Sequence, residues 1–276
     1  MATTRRLPIQ PTTHSVAKLL WRAYEPVAMV LGLSLLALIC LVWTPFALLL
    51  NAILPAAHAK QLGRGAIRTG FRIYVSLLTI FCGCRFDFRE LDELARQGGP
   101  MVIVANHPSL LDAVILVSRL PNAVCIMKAG LMRNVLLGAG ARMARYIVND
   151  APLPMIRNAI HELRDGACLV IFPEGTRTHT PPVGPCAATA GLIAARAGVP
   201  VQALLIEMSS LYLGKRWPIW RPPSLPLAIR VRLGRRFETI ARPQRFGQDI
   251  EQYFREQLSG ASSPADASKM PDALHG

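Results

Sequence analysis

Between Pro26 and Pro55 the chain carries no charged residue. That absence excludes an ordinary solvated segment there. Acidic residues are also scarce, 17 Asp and Glu against 31 Lys and Arg, so the formal net charge is +14. Such an excess excludes a neutral surface and favours a polyanionic neighbour such as lipid headgroups, a phosphorylated substrate or an acidic carrier. Aromatic residues are only 7%, and several lie in apolar runs. Single-strand nucleic-acid binders interleave exposed aromatics with their charges, so no nucleic-acid partner is expected. The six cysteines (Cys40, Cys82, Cys84, Cys125, Cys168 and Cys186) lack the paired spacing of a zinc site or a CxxC motif. No metal is expected. They read as small buried hydrophobes in a reducing, cytosol-facing environment. No G-x-S-x-G elbow, Walker-type phosphate loop or H-E-x-x-H motif occurs.

The uncharged run is long enough to cross a bilayer core, which needs about 20 apolar residues of helix. It begins too late and runs too long for a cleaved signal peptide. Its flanks are basic on both sides, with Arg5, Arg6, Lys18 and Arg22 before it and Lys60, Arg64, Arg68 and Arg72 after it. Basic flanks mark the cytoplasmic side, and Thr44-Pro45 inside the run is a point where a helix kinks or breaks. A re-entrant hairpin with both ends in the cytosol satisfies both observations; a single span is the alternative. The second basic flank recurs every four residues, which places it on one helical face. An amphipathic helix at headgroup level has that pattern, as does an ordinary solvated helix.

From about Arg85 short apolar runs alternate with helical stretches. Residues 101–105, 123–127, 146–148, 169–172, 201–206 and 227–233 are expected strands. Residues 110–119, 131–142, 155–165, 186–197 and 247–258 are expected helices. The expected fold class is α/β, a mixed sheet flanked by helices, preceded by an N-terminal membrane-associated helical segment. Three regions follow: 1–84 as membrane hairpin or span plus basic amphipathic helix, 85–258 as the α/β domain, and 259–276 as a polar tail without packed structure.

Sites in α/β sheets gather beyond the carboxyl ends of strands. Two expected strand ends carry polar groups: Asn106-His107-Pro108-Ser109-Leu110-Leu111-Asp112 and Pro173-Glu174-Gly175-Thr176-Arg177. A histidine after a strand can take a proton from a hydroxyl at neutral pH. Asp112, five residues on, can fix its tautomer, although Ser109-x-x-Asp112 also reads as a capping box. Gly175 frees backbone N–H groups, Thr176 adds a hydroxyl and Arg177 a five-donor fork suited to phosphate. An ordinary turn with a Glu174–Arg177 ion pair is the alternative.

The two pieces together, Asn106-His107-x-x-x-x-Asp112 and Phe172-Pro173-Glu174-Gly175-Thr176-Arg177, resemble the lysophospholipid acyltransferase family, typified by 1-acylglycerol-3-phosphate acyltransferases. The resemblance runs from about Gly99 to Ile206, and the N-terminal segment is also similar. It implies that His107 is the general base and Asp112 its orienting partner. It implies that Asn106, Glu174, Gly175, Thr176 and Arg177 serve the acceptor lysolipid, and that the donor is acyl-CoA or an acyl carrier protein. No cofactor is implied beyond that co-substrate. The implied setting is phospholipid biosynthesis at a membrane, with the catalytic domain facing the cytoplasm, as in a bacterial inner membrane. One block departs: Asn149-Asp150 stands where the family usually has an arginine associated with the acceptor phosphate, and Gln202 stands where a proline is common. A lysolipid with another headgroup (a glycolipid or amino-acid lipid), a phospholipid donor, and a non-catalytic lipid-binding protein of this fold remain the alternative readings.

Overall fold

The computed structural model describes residues 13–218 and 220–259, with side chains from residue 19 onward. The expected tail is 259–276; Ser259 ends the last helix, and the rest of the tail, Arg5, Arg6 and the Lys18 side chain lie outside what is described. Seven strands form one sheet: β1 (Cys84–Asp87), β2 (Met101–Ala105), β3 (Ala123–Met127), β4 (Ile147–Val148), β5 (Cys168–Ile171), β6 (Val201–Met208) and β7 (Leu227–Phe237). Their order is β1-β7-β6-β2-β5-β3-β4. All neighbours are parallel except β6 and β7. The sheet is therefore mixed, as expected.

Successive side chains of a strand point to opposite faces, and the core divides accordingly. Met101, Ile103 and Ala105 of β2 join Cys125, Val170, Leu204 and Ile206 on one face. Val102 and Val104 join Val124, Leu169, Ile171, Ala203 and Leu205 on the other. The first face is covered by α2 (Ala56–Phe81), α3 (Arg89–Gln97) and α4 (Leu111–Arg119). The second is covered by α7 (Pro152–Arg164), α8 (Thr189–Ala197) and α9 (Phe246–Ser259).

The expected helix over 131–142 is two short ones, α5 (Ala129–Met132) and α6 (Gly138–Met143). Asn134 causes the break: its side-chain oxygen accepts the N–H groups of Leu136 (2.9 Å) and Leu137 (3.1 Å), closing a turn that competes with the helix. Strand β1 and helix α3 were not expected. Two of the four β1 residues are charged, and α3 shows its apolar side only through Leu91 and Leu94, both buried.

The N-terminal region departs further. Helix α1 (Thr13–Ile53) continues unbroken through both Pro26 and Pro45. Reversal comes later, at Leu54-Pro55, and the returning arm is α2. The hairpin is thus α1 against α2, with no turn at Thr44-Pro45. α1 lies along the domain: the Tyr24 hydroxyl donates to Phe81 O (2.5 Å), Leu225 N–H to Glu25 Oε1 (3.0 Å), and Thr44 Oγ1 to Leu136 O (3.4 Å). Ala47 packs with Ala59, Ala139 and Met143. The opposite side exposes Val27, Val30, Leu38, Leu41, Val42, Leu48 and Leu49.

The basic flank on α2 points inward. Arg64, 4% exposed, donates to Ala144 O (3.0 Å), Asn122 Oδ1 (2.8 Å) and Glu162 Oε2 (2.6 Å). Lys60 pairs with Glu162 (3.3 Å) and Asp165 (3.0 Å), and Arg68 donates to Arg119 O (2.9 Å). Of the four basic residues only Arg72 is exposed. The stripe therefore fastens the hairpin to the α/β domain. Gly63 permits the approach, since a Cβ there would meet Ala144 N at 2.9 Å.

Removing one partner of a buried ion pair costs about 3–5 kcal/mol, because the other charge is left uncompensated. Arg64→Met is therefore expected to lower stability by that order, and Arg64→Met with Glu162→Leu to recover part of it. Urea unfolding of wild type, Arg64→Met, Glu162→Leu and the double variant in detergent checks this; additive losses would mean that the two side chains do not act as a pair.

Candidate active site

His107 lies just past the end of β2, in the segment that leads into α4. Its Nδ1 is 2.8 Å from Asp112 Oδ2. The same oxygen accepts Ser109 N–H at 2.8 Å. The Asp112 side chain is fully buried, while that of His107 is 16% exposed. Ser109 Oγ accepts Leu111 N–H (3.2 Å) at the start of α4. The capping and orienting readings of this segment therefore coexist: Ser109 serves the helix, and Asp112 reaches back to the imidazole.

Burial pushes the Asp112 carboxyl up from its ordinary range, against the opposing pull of the His107 and Ser109 hydrogen bonds. Its Oδ1 has no hydrogen-bond partner among the described residues. A carboxylate acceptor at Nδ1 fixes the tautomer with the proton there, which turns the basic lone pair to Nε2. No described residue hydrogen-bonds Nε2. The imidazole stacks on Phe172, ring centroids 4.0 Å apart and planes 16° apart.

The second motif is a turn beyond β5. Gly175 sits at φ +64°, a conformation that favours glycine, and its N–H donates to Phe172 O (2.9 Å). Glu174 faces inward. Its Oε1 accepts His107 N–H (3.0 Å) and Thr178 Oγ1 (2.8 Å), and its Oε2 accepts Gly184 N–H (2.8 Å). Thr178 N–H donates to His107 O (2.7 Å). The carboxylate thus ties the turn to the histidine backbone, and no Glu174–Arg177 ion pair forms among the described residues. Asn106 has a similar part: Nδ2 donates to Ile206 O (2.9 Å) and Oδ1 accepts Ile206 N–H (2.8 Å), extending the β2–β6 ladder by one rung.

Arg177 gives two hydrogen bonds from Nη1, to Leu213 O (2.8 Å) and Gly214 O (2.9 Å). Thr176 Oγ1 accepts Lys215 Nζ at 2.8 Å. His107, Asp112, Glu174 and the backbone around them are thus brought together. Asn149 and Asp150 follow β4, which β5 and β3 separate from β2. Three strand spacings put them roughly 14 Å from the end of β2.

Sequence reasoning missed Phe172 as the platform for the imidazole, Thr178 as a second bond to Glu174, and the loop at 209–226. An aromatic residue directly before Pro173-Glu174 was a readable signal. The loop acts through the Leu213 and Gly214 carbonyls, for which side-chain chemistry gives no signal.

Burial pushes the thiols of Cys84, Cys125, Cys168 and Cys186 up to about 12. These four are held as thiols at neutral pH and are poor nucleophiles. The arrangement suits a base that activates an external hydroxyl.

Comparison with known proteins gives the family that the chain is similar to. Residues 85–207 match the Acyltransferase family. The chain is 28% identical over 171 residues to a chloroplastic 1-acyl-sn-glycerol-3-phosphate acyltransferase of Brassica napus, covering 59% of this chain and 50% of that protein. It therefore spans about half the length of that relative. It is 24% identical over 216 residues to the 1-acyl-sn-glycerol-3-phosphate acyltransferase of Pseudomonas aeruginosa, covering 76% of this chain and 80% of that protein. The crystal structure of a 1-acyl-sn-glycerophosphate acyltransferase from Thermotoga maritima shares the fold, with a TM-score of 0.64 at 18% identity over 88% of this chain and 98% of that one. The His107–Asp112 pair and the Glu174–Arg177 turn both lie inside residues 85–207, the segment that matches the Acyltransferase family.

Proposed function

We propose that this chain transfers a fatty acyl group from a thioester, acyl-CoA or an acyl carrier protein, to the hydroxyl of a lysolipid at a membrane surface. The acceptor we assign is 1-acylglycerol-3-phosphate, and the product phosphatidic acid. The observation that carries the reading is the 2.8 Å contact between His107 Nδ1 and the buried Asp112 carboxylate. His107 Nε2 takes the acceptor hydroxyl's proton as its oxygen attacks the thioester carbonyl. The C–S bond then breaks, and the leaving thiolate takes the same proton back from Nε2. Asp112 stabilises the imidazolium between these steps. No acyl-enzyme is required, in keeping with the buried thiols. Arg177 has donors on Nε and Nη2 beyond the two bonds from Nη1, and these suit the acceptor phosphate.

The membrane part rests on α1. Its span Leu19–Ile53 is long and apolar enough to cross a bilayer. One side is nevertheless occupied by α2 and the domain from Tyr24 to Ala47. A helix crossing the bilayer would have to leave those contacts. We therefore assign the exposed apolar side of α1 to the lipid surface, lying along it. Six free cysteines support a cytosolic setting. The Asn149-Asp150 departure favours, as a second reading, a lysolipid with a different headgroup.

An acyl-transfer assay across a panel of lysolipids, with both donor types, decides between the acceptors. Lysophosphatidate is expected to be preferred; equal turnover of phosphate-free acceptors would overturn that assignment. His107→Ala is expected to lower turnover by at least about 10²-fold, the usual scale for a lost general base, with unchanged sedimentation on vesicles. Undiminished transfer would exclude the imidazole.

Asp112→Asn separates catalysis from stability. The folded pKa of Asp112 is raised, so its ionisation opposes folding, and this penalty grows as pH rises from the unfolded value of about 4 towards the folded one. The variant is expected to lose turnover, while the difference in melting temperature from wild type shifts in its favour across that window. A difference flat with pH would refute the raised carboxyl. On the membrane side, Leu41→Glu with Leu48→Glu is expected to reduce vesicle sedimentation at least several-fold at unchanged melting temperature. Full retention on vesicles would move the lipid contact elsewhere.

A further inference from the structure

The loop at 209–226, between β6 and β7, is built in two parts. Its base is fixed. Tyr212, Leu213 and Gly214 are buried, and Tyr212 and Leu213 belong to the core on the hairpin side. Leu213 adopts φ +52°, an uncommon conformation for a branched side chain that structure retains only where surroundings enforce it. The consequence is visible in its carbonyl, which accepts both Leu110 N–H (3.1 Å) and Arg177 Nη1 (2.8 Å). Leu110 lies between His107 and Asp112, so the loop is bonded directly to the catalytic segment and to the acceptor turn.

The outer part is exposed, apolar and cationic. Trp220 is 76% exposed, and Leu211 and Leu110 are exposed beside the base. Lys215, Arg216 and Arg221 are exposed, and no acidic residue occurs between 209 and 226. Trp217 stiffens this part: its Nε1–H donates to Arg221 O (2.8 Å), its ring meets Tyr212 edge to face, and the Arg221 guanidinium lies 4.3 Å from its centroid. The loop also joins the hairpin through Leu225 N–H on Glu25 Oε1, within the stretch of α1 that exposes Leu20, Val27 and Val30.

An exposed tryptophan on a loop that also exposes Lys215, Arg216 and Arg221, and that is bonded to α1, matches the chemistry of a lipid–water interface. We propose that the 209–226 loop is a second lipid-contacting element, seating Trp220 among anionic headgroups and holding the His107 opening against the lipid surface. The long-chain acceptor then reaches the imidazole without leaving the lipid phase. An acidic carrier protein would also meet the cations, but it gives no reason for the exposed Trp220, Leu211 and Leu110. This inference rests on the membrane part of the proposed function and not on the acyl-transfer part.

The test uses the full chain on vesicles of phosphatidylcholine and phosphatidylglycerol brominated near the headgroup, with Trp220→Ala as the comparison. Among the described residues Trp220 has no side-chain hydrogen-bond partner, so the variant is expected to keep its melting temperature. Wild type is expected to show a quenched component missing from the variant, which lacks one of the four tryptophans. Cleavage by trypsin after Arg216 is expected in detergent micelles and to be suppressed several-fold on anionic vesicles, less so on pure phosphatidylcholine. Identical quenching of both proteins, with equal cleavage in micelles and vesicles, would overturn the proposal. An unquenched Trp220 whose removal raises KM for an acyl carrier protein donor would overturn it in favour of a protein partner. Sedimentation of wild type read in parallel separates the outcomes: a chain that fails to bind vesicles at all refutes the α1 assignment, whereas a bound chain with unquenched Trp220 refutes only the loop.

Discussion

The hydrogen bond between His107 and Asp112 places a charge where water cannot reach it, and the local architecture follows from that. A fully buried carboxylate is costly unless neighbours compensate it. Here two donors converge on Oδ2, the imidazole and Ser109 N–H, while Oδ1 has no partner among the described residues. The compensation is incomplete, so the dyad persists only because its surroundings hold it. Three ties do so. Asn106 extends the β2–β6 ladder immediately before the histidine, Glu174 takes the histidine N–H, and Leu213 O takes the N–H of Leu110. Each comes from a different segment of chain. The imidazole is fixed in place by backbone that the sheet itself positions, and Phe172 fixes the plane of its ring.

The hairpin obeys a related economy. α1 and α2 bring apolar surface that the domain can bury on one side only. Ala28, Met29, Tyr74, Val75 and Leu78 enter the core on that side, and the opposite side of α1 keeps its leucines and valines exposed. What prevents the pair from lifting away is polar: Arg64 binds two side chains and a carbonyl in a nearly dry setting, and Lys60 bridges Glu162 and Asp165. A basic stripe that resembles a headgroup contact in sequence is, in the folded chain, the seam between hairpin and domain.

That contrast shows what the residues disclosed in advance. Strand positions in the central sheet were legible because buried parallel strands are continuous apolar runs, as in Met101–Ala105 and Val201–Ile206. The strand-end motifs were legible because their chemistry resides in side chains, His107 and Asp112 above all. Strand β1 was not, since Arg85 and Asp87 interrupt it and only pairing with β7 makes it a strand. The end of α1 was misplaced because Pro45 reads as a breaker, although a helix packed against α2 and α6 continues through it. The direction of Lys60, Arg64 and Arg68 was illegible because spacing fixes a helical face but not what that face meets. Leu213 was invisible because its contribution is a carbonyl.

The fate of the positive charge follows from the same point. A net charge of +14 suggests a uniformly cationic particle, but many of the cations are engaged internally. Arg64, Arg68 and Arg177 serve backbone carbonyls, Lys60 serves two carboxylates, and Arg230 and Arg232 pair with Asp87, Glu90 and Glu207. Lys60, Arg64 and Arg68 cannot also neutralise a lipid surface without giving up the contacts that seat the hairpin on the domain. Exposed cations remain on the hairpin at Arg22 and Arg72, and on the 209–226 loop at Lys215, Arg216 and Arg221. Electrostatic attraction to anionic lipid decays within about 8–10 Å at physiological salt, so the position of these few groups matters more than the total. Among them Lys215 meets Thr176 directly, beside Arg177, the group that the proposed function assigns to the acceptor phosphate.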